Sequence, residues 1–238
     1  MTDSPERPTA SAIPLTGFLC AAAGAVDAIA YILFGNIFIA NMTGNTVLFA
    51  VSVAKRDWSE AGIRIGIVFA FLAGIMLARA LLEKWMHGRK RRTRLLALGV
   101  EFTLLSTLTW VSHAHARSLL LVLLAVAMGA QNDAFRNIDG VKLNTAFITG
   151  DLEELGAALV TSEASGKRSQ ARRRVPVFLT TWSTYAMGAL LGASCAFQFA
   201  EKALWIPAGL LTLAAVIVMR SPDEAPKLPD EQLNDTPG

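Results

Sequence analysis

The sequence is poor in charge and in cysteine. Charged side chains make up 17% of its 238 residues and hydrophobic side chains 53%, whereas about a quarter of the residues of an ordinary soluble domain are charged. The two cysteines, Cys20 and Cys195, both fall in apolar stretches, so a disulfide framework has no support. These shortages argue against a soluble domain and indicate a protein that is embedded in a bilayer.

Enzyme signatures are also missing. The three histidines, His87, His113 and His115, lie in or beside predicted loops, and no His-Glu-x-x-His sequence is present for a zinc site. The Gly-x-Ser-x-Gly motif of hydrolases and the Gly-x-x-x-x-Gly-Lys phosphate loop are absent from the sequence as well. The sequence therefore predicts that the protein is not an enzyme and holds no metal and no cofactor.

Long apolar stretches are what the chain does have. A membrane-spanning helix needs roughly 20 apolar residues, and six stretches come close to that length: residues 15–34, 62–82, 95–112, 118–135, 175–197 and 203–219. The first stretch is interpreted as an uncleaved anchor, not a signal peptide, because its apolar run continues to Phe34. Residues 1–14 and 221–238 are polar and contain several prolines, and they are predicted to be disordered.

A pattern that occurs twice divides the apolar region into two units. In the first copy Thr43-Gly44-Asn45 follows Gly24, with 19 positions from Gly24 to Thr43. In the second copy Thr149-Gly150-Asp151 follows Gly129, with 20 positions from Gly129 to Thr149. A further pair of matching segments comes later in each copy, at residues 71–77 and 185–191. The sequence therefore predicts two membrane repeats, residues 15–114 and 115–220.

Two connections between the apolar stretches are strongly basic. The first contains Lys84, Arg89, Lys90, Arg91, Arg92 and Arg94, and the second contains Lys167, Arg168, Arg172, Arg173 and Arg174. Short loops this basic stay on the cytoplasmic side of the membrane. A nucleic-acid surface is a poor alternative, because both runs directly adjoin apolar stretches, and no nucleic-acid partner is predicted.

The number of crossings follows from this charge distribution. If residues 37–54 and 143–160 both crossed the bilayer, there would be eight spans, and Arg91 and Arg173 would lie on opposite sides. If neither segment crosses fully, both basic connections and both termini are cytoplasmic, and the two segments enter from opposite sides. The predicted fold is an all-α membrane protein with six transmembrane helices plus two re-entrant half-helices in an inverted repeat.

The two re-entrant segments carry residues suited to that position. Residue types that cap helix N-termini stand in both: Thr43 and Asn45 in the first, Thr149 and Asp151 in the second. Helical runs are predicted after them, at residues 47–54 and 152–161, and Gly44 and Gly150 allow close approach of backbones. Non-helical backbone at membrane depth must be buried in protein or line water. The segments therefore either line a path or serve as packing plugs.

Polar residues inside the apolar stretches complete the candidate site. An ionisable side chain at membrane depth, such as Asp27, is by default a functional candidate. Its alternative role is to bond a neighbouring backbone group or hydroxyl and only fix packing. The predicted substrate-binding set is Asp27, Asn41, Thr43, Gly44, Asn45, Gln131, Asn132, Asp133, Thr149, Gly150 and Asp151.

Arg79 and Glu101 form a second pair of interest. Both are predicted to lie roughly 8–10 Å inside the cytoplasmic boundary, at 1.5 Å per helical residue. Facing each other there, they would form a structural ion pair, and the alternative is that Arg79 snorkels to the interface alone.

These motifs resemble those of the YoaK family of bacterial inner-membrane proteins. The residues that carry the resemblance are Gly24-Ala25-Val26-Asp27-Ala28, Ala40-Asn41-Met42-Thr43-Gly44-Asn45-Thr46, Met128-Gly129-Ala130-Gln131-Asn132 and Thr145-Ala146-Phe147-Ile148-Thr149-Gly150. The likeness extends from Leu15 to Met219 and implies a bacterial integral membrane protein. It implies no catalytic or binding residue, because the family is catalogued as a domain of unknown function.

The functional hypothesis is a small-solute transporter or channel-like permease with a midplane site between inverted repeats. Its partners would be the lipid bilayer and a small-molecule or ion substrate. A membrane-embedded interaction or regulatory protein with no transported substrate is the alternative, and an intramembrane enzyme comes third. Small residues at four-residue spacing, such as Gly62 and Gly66 or Gly188 and Gly192, fit internal packing or a homo-oligomer equally well.

Overall fold

The protein is all-helical apart from one very short β-hairpin in the part of the chain described. The computed structural model describes residues 12–84, 90–111, 114–138, 141–142, 156 and 168–221. Its α-helices there are α1 (Ala12–Leu33), α2 (Met42–Ala54), α3 (Trp58–Lys84), α4 (Lys90–Trp110), α5 (Ala114–Ala134), α6 (Arg168–Phe199) and α7 (Trp205–Arg220). A 3₁₀ helix, Ala200–Leu204, joins α6 to α7. Strands β1 (Asn137–Ile138) and β2 (Val141–Lys142) pair antiparallel, with Ile138 opposite Val141.

Each of the six predicted apolar stretches overlaps one of these helices other than α2. By length and composition, three stretches of the described chain are long and apolar enough to cross a membrane: Ile13–Leu33, Trp58–Leu81 and Val175–Arg220. The last covers 46 residues, which include most of α6, the 3₁₀ helix and α7. Helix α2 has 13 residues, so it is about 20 Å long, against about 30 Å for the hydrocarbon core.

Several predicted features lie outside the described residues. They include Thr149, Gly150 and Asp151, most of the helical run predicted at residues 152–161, and most of both predicted disordered termini. Helix α1 begins at Ala12, three residues before the predicted start of the first repeat. Pro14 falls in its first turn, where a proline removes no internal hydrogen bond.

The end of α1 turns the chain back toward the helix. Gly35 and Asn36 have positive φ values of 89° and 54°, a conformation that glycine and asparagine adopt more readily than other residues. The Asn36 N–H donates to the Tyr31 carbonyl at 3.1 Å and closes the last turn. Residues 37–41 therefore run back alongside α1 and do not continue away from it.

Helix pairs that link the two predicted repeats pack in a reciprocal way. Helix α1 packs along α6, and α3 packs along α5. A Cβ atom placed on Gly24 would overlap the backbone of Tyr185, and one on the aligned Gly129 would overlap the backbone of Phe71, which aligns with Tyr185. The same holds for Gly188 against Ala21 and for its counterpart Gly74 against Val126. Backbones approach this closely only where the side chain is small.

The other helix contacts follow the same reciprocal pattern. Helix α1 also packs on α7, as α5 packs on α4, and α4 and α7 contact each other. The apolar core runs through these interfaces, with residues such as Leu19, Leu105, Leu124 and Leu211 fully buried. Aligned helices of the two predicted repeats thus have equivalent helix neighbours.

Hydrogen bonds define two ends of the bundle. At the first, here called the basic end, Arg91 donates to the Met219 carbonyl at 2.5 Å and Arg94 to the Ala134 carbonyl at 3.3 Å. At the opposite end Arg117 pairs with Glu201 at 3.0 Å, and its guanidinium lies 5.3 Å from the centre of the Phe34 ring. The start of α4 therefore lies beside the ends of α5 and α7, and the start of α5 beside the end of α1.

Candidate functional site

The segment between α1 and α2, residues 34–41, is a non-helical loop whose second half is largely buried. Ile37, Ile39 and Ala40 are almost completely excluded from solvent, and the Phe38 ring stacks on the Tyr31 ring of α1 with 5.2 Å between the ring centres. Backbone groups in such a place need partners within the protein, because an unpaired buried N–H or C=O is costly. Two side chains, Asp27 and Asn45, supply most of them.

Asp27 binds the loop backbone directly. The carboxylate is only 2% exposed, and its Oδ1 atom accepts hydrogen bonds from the N–H groups of Ile39 at 2.6 Å and Ala40 at 2.7 Å. Its Oδ2 atom accepts a hydrogen bond from the Tyr185 hydroxyl at 2.7 Å. Asp27 thus joins α1, the loop and α6, which is the arrangement expected of an architectural carboxylate.

Tyr185 is the site residue that sequence reasoning missed. It aligns with Phe71 in the predicted repeat, where the pattern indicates only an apolar segment. The hydroxyl is the difference between the two residues, and the chain contains only two tyrosines. The signal available in the sequence was a tyrosine in a predicted membrane span at a position aligned with a phenylalanine.

Asn45 holds the same loop from α2. The fully buried side chain accepts a hydrogen bond from the Phe38 N–H at 2.9 Å and donates one to the Phe38 carbonyl at 2.7 Å. These two bonds satisfy both backbone groups of one residue. Gly44 leaves room for the loop, since a Cβ atom there would lie 2.7 Å from the Phe38 ring.

The prediction that Thr43 and Asn45 cap α2 is wrong. The helix begins at Met42, five residues before the predicted run, so both residues lie in its first turn. Asn41 is the N-cap, and its side-chain oxygen accepts a hydrogen bond from the Gly44 N–H at 3.0 Å. Thr43 is exposed.

Further side chains attach α2 to α3. Ser52, which is buried in α2, accepts a hydrogen bond from Arg64 of α3, and Arg64 also pairs with Glu60 at 2.8 Å. Arg64 is itself buried. The short helix is therefore fixed at its start by Asn41 and Asn45 and near its end by Ser52.

A second polar cluster lies between α3, α4 and α5, near the basic end. Arg79 of α3 forms a two-pronged ion pair with Asp133 of α5, with distances of 2.5 Å from Nη2 to Oδ1 and 3.2 Å from Nε to Oδ2. The Arg79 side chain is 48% exposed and that of Asp133 only 3%. This geometry supplies the buried carboxylate with a cation.

The predicted Arg79–Glu101 ion pair is wrong. Helix α3 packs along α5, whereas α4 packs against α5, α7 and the 3₁₀ helix. Glu101 of α4 faces Gln131 of α5 instead. Helical spacing placed both residues at a similar depth but gave no information about which helices are neighbours.

Glu101 and Gln131 are both shielded from solvent, at 0% and 1% exposure. With the Gln131 amide turned so that its nitrogen faces Glu101, this nitrogen donates to both carboxylate oxygens, at 3.1 Å to Oε1. Asn132, the repeat counterpart of Asp27, follows on α5 and is partly buried. Gln131, Asn132 and Asp133 therefore lie together, but Gln131 faces α4 and Asp133 faces α3.

The structure brings the predicted site residues together in two groups. Asp27, Asn41, Gly44 and Asn45 surround the loop, while Gln131, Asn132 and Asp133 belong to the second cluster. Within the described part of the chain, no three histidine, cysteine, aspartate or glutamate side chains are grouped closely enough to hold a metal ion. Among the described residues, neither Cys20 nor Cys195 takes part in a disulfide bond.

Comparison with known proteins gives consistent results. Residues 15–217 match the family described as "Protein of unknown function (DUF1275)". The UPF0700 transmembrane protein YoaK of Bacillus subtilis is 25% identical over 206 residues, covering 83% of this chain and 89% of that protein. A UPF0700 transmembrane protein of Rhizobium meliloti is 26% identical over 238 residues, covering 90% of this chain and 91% of that protein. No solved structure matches significantly.

Proposed function

The chain belongs to the DUF1275 family of transmembrane proteins, and we propose that it is a small-solute transporter or channel-like permease of the bacterial inner membrane. The observation that carries the proposal is the non-helical loop at residues 34–41, in which Ile37, Ile39 and Ala40 are buried, followed by the short helix α2. Such broken segments in membrane proteins are found where they line a cavity or are buried in protein. Non-helical backbone in a membrane is costly because its N–H and C=O groups need partners other than lipid. This cost favours a functional reason for the segment.

The depth of the loop supports a re-entrant arrangement. Asp27 lies six residues before the end of α1 at Leu33, which is about 9 Å along the helix axis. Since Ile39 and Ala40 bind Asp27, the loop returns at least that far into the bundle before α2 leads the chain out again. In this proposal the loop and the half-helix α2 enter the membrane from the end opposite the basic end, and the chain leaves at that same end.

Six spans in an inverted repeat form part of the same proposal. Reciprocal packing of α1 on α6 and α5 on α3, through aligned glycines, supports a two-fold relation between the halves. The arginines that bind across the basic end support a cytoplasmic position for that end. Both termini are then cytoplasmic, and Thr149, Gly150 and Asp151 are assigned by the repeat to a second half-helix.

Among the residues of the first half-helix, Thr43 is the best candidate to meet a solute. Asp27, Asn41 and Asn45 are occupied in holding the loop, whereas the Thr43 side chain is exposed at the α2 N-terminus. Helix N-termini carry partial positive charge and suit an anion, a carbonyl oxygen or water. The solute path is therefore proposed to pass the first turn of α2.

The second candidate function is a membrane-embedded interaction or regulatory protein without a transported substrate. The hydrogen bonds of Asp27 favour it, because they explain this buried carboxylate by architecture alone. Under this alternative, α2 is a packing plug and Thr43 faces lipid or protein. Water at Thr43 distinguishes the two functions.

Access to Thr43 is tested by cysteine labelling in intact cells. A Thr43→Cys variant, made in a Cys20→Ala, Cys195→Ala background, should react with a water-soluble, membrane-impermeant thiol reagent. Leu213→Cys is the matched control, since Leu213 is also exposed, but on the apolar helix α7, and should not react. No labelling at Thr43 from either side of the membrane would favour the plug.

Topology is tested separately with reporter fusions. Fusions at Arg91 and Arg172 should report the cytoplasm, and fusions at Ala116 and Glu201 should report the outside. An external signal at Arg172 would replace the inverted repeat by eight spans.

Transport itself requires a solute to be identified. Metabolite profiles of cells that lack or overproduce the protein should differ in one class of small solute, and proteoliposomes should take up that class. Thr43→Val should lower uptake while the protein still folds and inserts. If the metabolite profiles are unchanged and Thr43→Cys is not labelled from either side, the interaction or regulatory function would be favoured.

A further inference from the structure

Glu101 is a buried carboxyl group with one hydrogen-bonding side chain opposite it. It lies seven residues after Arg94 on α4, about 10 Å along the helix from the basic end. In the part of the chain that the structure describes, its side-chain partner is Gln131. A neutral amide does not compensate a full negative charge, and an uncompensated buried charge is costly.

Among the described residues, the helices packed against Glu101 bring no cation into contact with it. Helix α4 packs against α5, α7 and the 3₁₀ helix. On α5 the nearby ionisable residue is Asp133, which is paired with Arg79 of α3. Helix α7 has no ionisable residue between Trp205 and Met219. Glu201 and Lys202 of the 3₁₀ helix lie toward the opposite end, where Glu201 binds Arg117.

The amide of Gln131 suits a carboxyl group in either charge state. With its nitrogen toward Glu101, it donates to an ionised carboxylate. Turned by half a rotation, the same amide presents its oxygen, which accepts the O–H of a protonated carboxylic acid. Oxygen and nitrogen exchange places, so neither orientation requires movement of the helices.

We propose that Glu101 and Gln131 form a proton-binding site in which rotation of the Gln131 amide accommodates both charge states of the Glu101 carboxyl. On uptake, an O–H bond of hydronium breaks and one forms on a Glu101 oxygen, leaving water, and release reverses this step. The proton comes from solvent, so no other reactant is needed. In the proposed permease this site would make the proton the coupling ion, but proton binding itself does not depend on a transported solute.

The test is infrared spectroscopy of the full-length protein in proteoliposomes, without solute, across a pH series. The carbonyl stretch of a protonated carboxylic acid should be present at neutral pH, shift in heavy water, and disappear at alkaline pH. Glu101→Gln should remove this band completely. Asp27→Asn is the matched control and should leave the band intact, because the donors that surround Asp27 favour its ionised form.

The role of the amide is tested with Gln131→Leu. This variant removes the donor that serves the ionised form, so the band should no longer disappear on raising the pH over the same range. Carbon-13 labelling of the glutamate carboxyls in the unmodified protein should shift the band, which keeps the test valid if a variant does not fold. A band that is absent, or that survives Glu101→Gln, would overturn the site. A Gln131→Leu band that titrates as in the unmodified protein would overturn the amide rotation.

Discussion

Asp27 and Glu101 are both carboxylates buried in the helical bundle, but they differ in what surrounds them. Asp27 accepts hydrogen bonds from two backbone N–H groups and a tyrosine hydroxyl, whereas among the described residues Glu101 faces a single amide. Several fixed donors stabilise an ionised carboxylate and tie it to one geometry. One rotatable partner leaves the charge state of Glu101 open to change. A buried acid in a membrane protein therefore needs its donors counted before it is assigned to function or to architecture.

The aligned positions of the two repeats sharpen this comparison. Asp27 aligns with Asn132 and Tyr185 with Phe71, so the carboxylate and its tyrosine partner both belong to one of the two related interfaces. The other interface has its ionisable pair at different positions, Asp133 one residue after Asn132 and Arg79 eight residues after Phe71. The repeated backbone is thus shared, while the polar side chains have diverged between the halves.

The largest effect is expected when the Asp27 anchor is removed. Asp27→Leu keeps most of the volume but leaves the Ile39 and Ala40 N–H groups and the Tyr185 hydroxyl without an acceptor. Each unsatisfied buried group costs about 1–3 kcal/mol, so the free energy of unfolding should fall by about 3 kcal/mol or more. Thermal unfolding in detergent measures this loss.

Asp27→Asn is the matched variant for that measurement. Its remaining oxygen still accepts from the loop, and its amide nitrogen can donate to the Tyr185 oxygen, so its loss should be clearly smaller. Equal melting temperatures for the two variants would show that charge, and not the hydrogen-bond geometry, holds the loop.

The next effect concerns close helix packing, which should be the same in both halves. Gly74→Ala on α3 places a methyl group against the backbone of Val126, and overpacking of this kind costs about 1–3 kcal/mol. Gly188→Ala on α6 should cost a similar amount. The control is Gly66→Ala, also on α3, because nothing lies within 4 Å of the added Cβ atom. If Gly66→Ala destabilises as much as Gly74→Ala, the loss comes from something other than these crossings.

A smaller effect separates the true cap of α2 from its predicted one. Asn41→Ala removes the side-chain acceptor of the Gly44 N–H and should lower stability by about 1 kcal/mol. Thr43→Ala, two residues later and exposed, should change stability by less than about 0.5 kcal/mol. Denaturant titration of both variants in mild detergent checks the order, and a larger loss at Thr43 would contradict the assignment of Asn41.

The smallest effect belongs to the ion pair of the second cluster. A double-mutant cycle with Arg79→Gln and Asp133→Asn should give a coupling energy of about 0.5–1 kcal/mol, since Arg79 is half exposed. The same cycle with Arg79→Gln and Glu101→Gln should be additive within about 0.5 kcal/mol. Strong coupling between Arg79 and Glu101 would support the Arg79–Glu101 ion pair that the sequence predicts.

The sequence by itself determined the membrane environment, the family and the position of the six long apolar helices. Apolar runs of bilayer length predict helices regardless of their neighbours, because lipid forces every backbone group to be bonded within its own segment. The repeat is also visible in the sequence, because small residues such as Gly24 and Gly74 recur where helices cross closely. These residues do not indicate which helix crosses at each of them. Asp27 was recognised as unusual from its type and place alone.

Only the tertiary structure decided which polar groups meet. Asp27 binds residues 12 and 13 positions later and another 158 positions away, and no periodicity within one helix encodes such partners. Arg79 meets Asp133, 54 positions along, because α3 packs on α5. The strength of a buried ion pair or hydrogen bond depends on a few ångströms of separation, and that separation is set by helix packing and not by spacing along the chain.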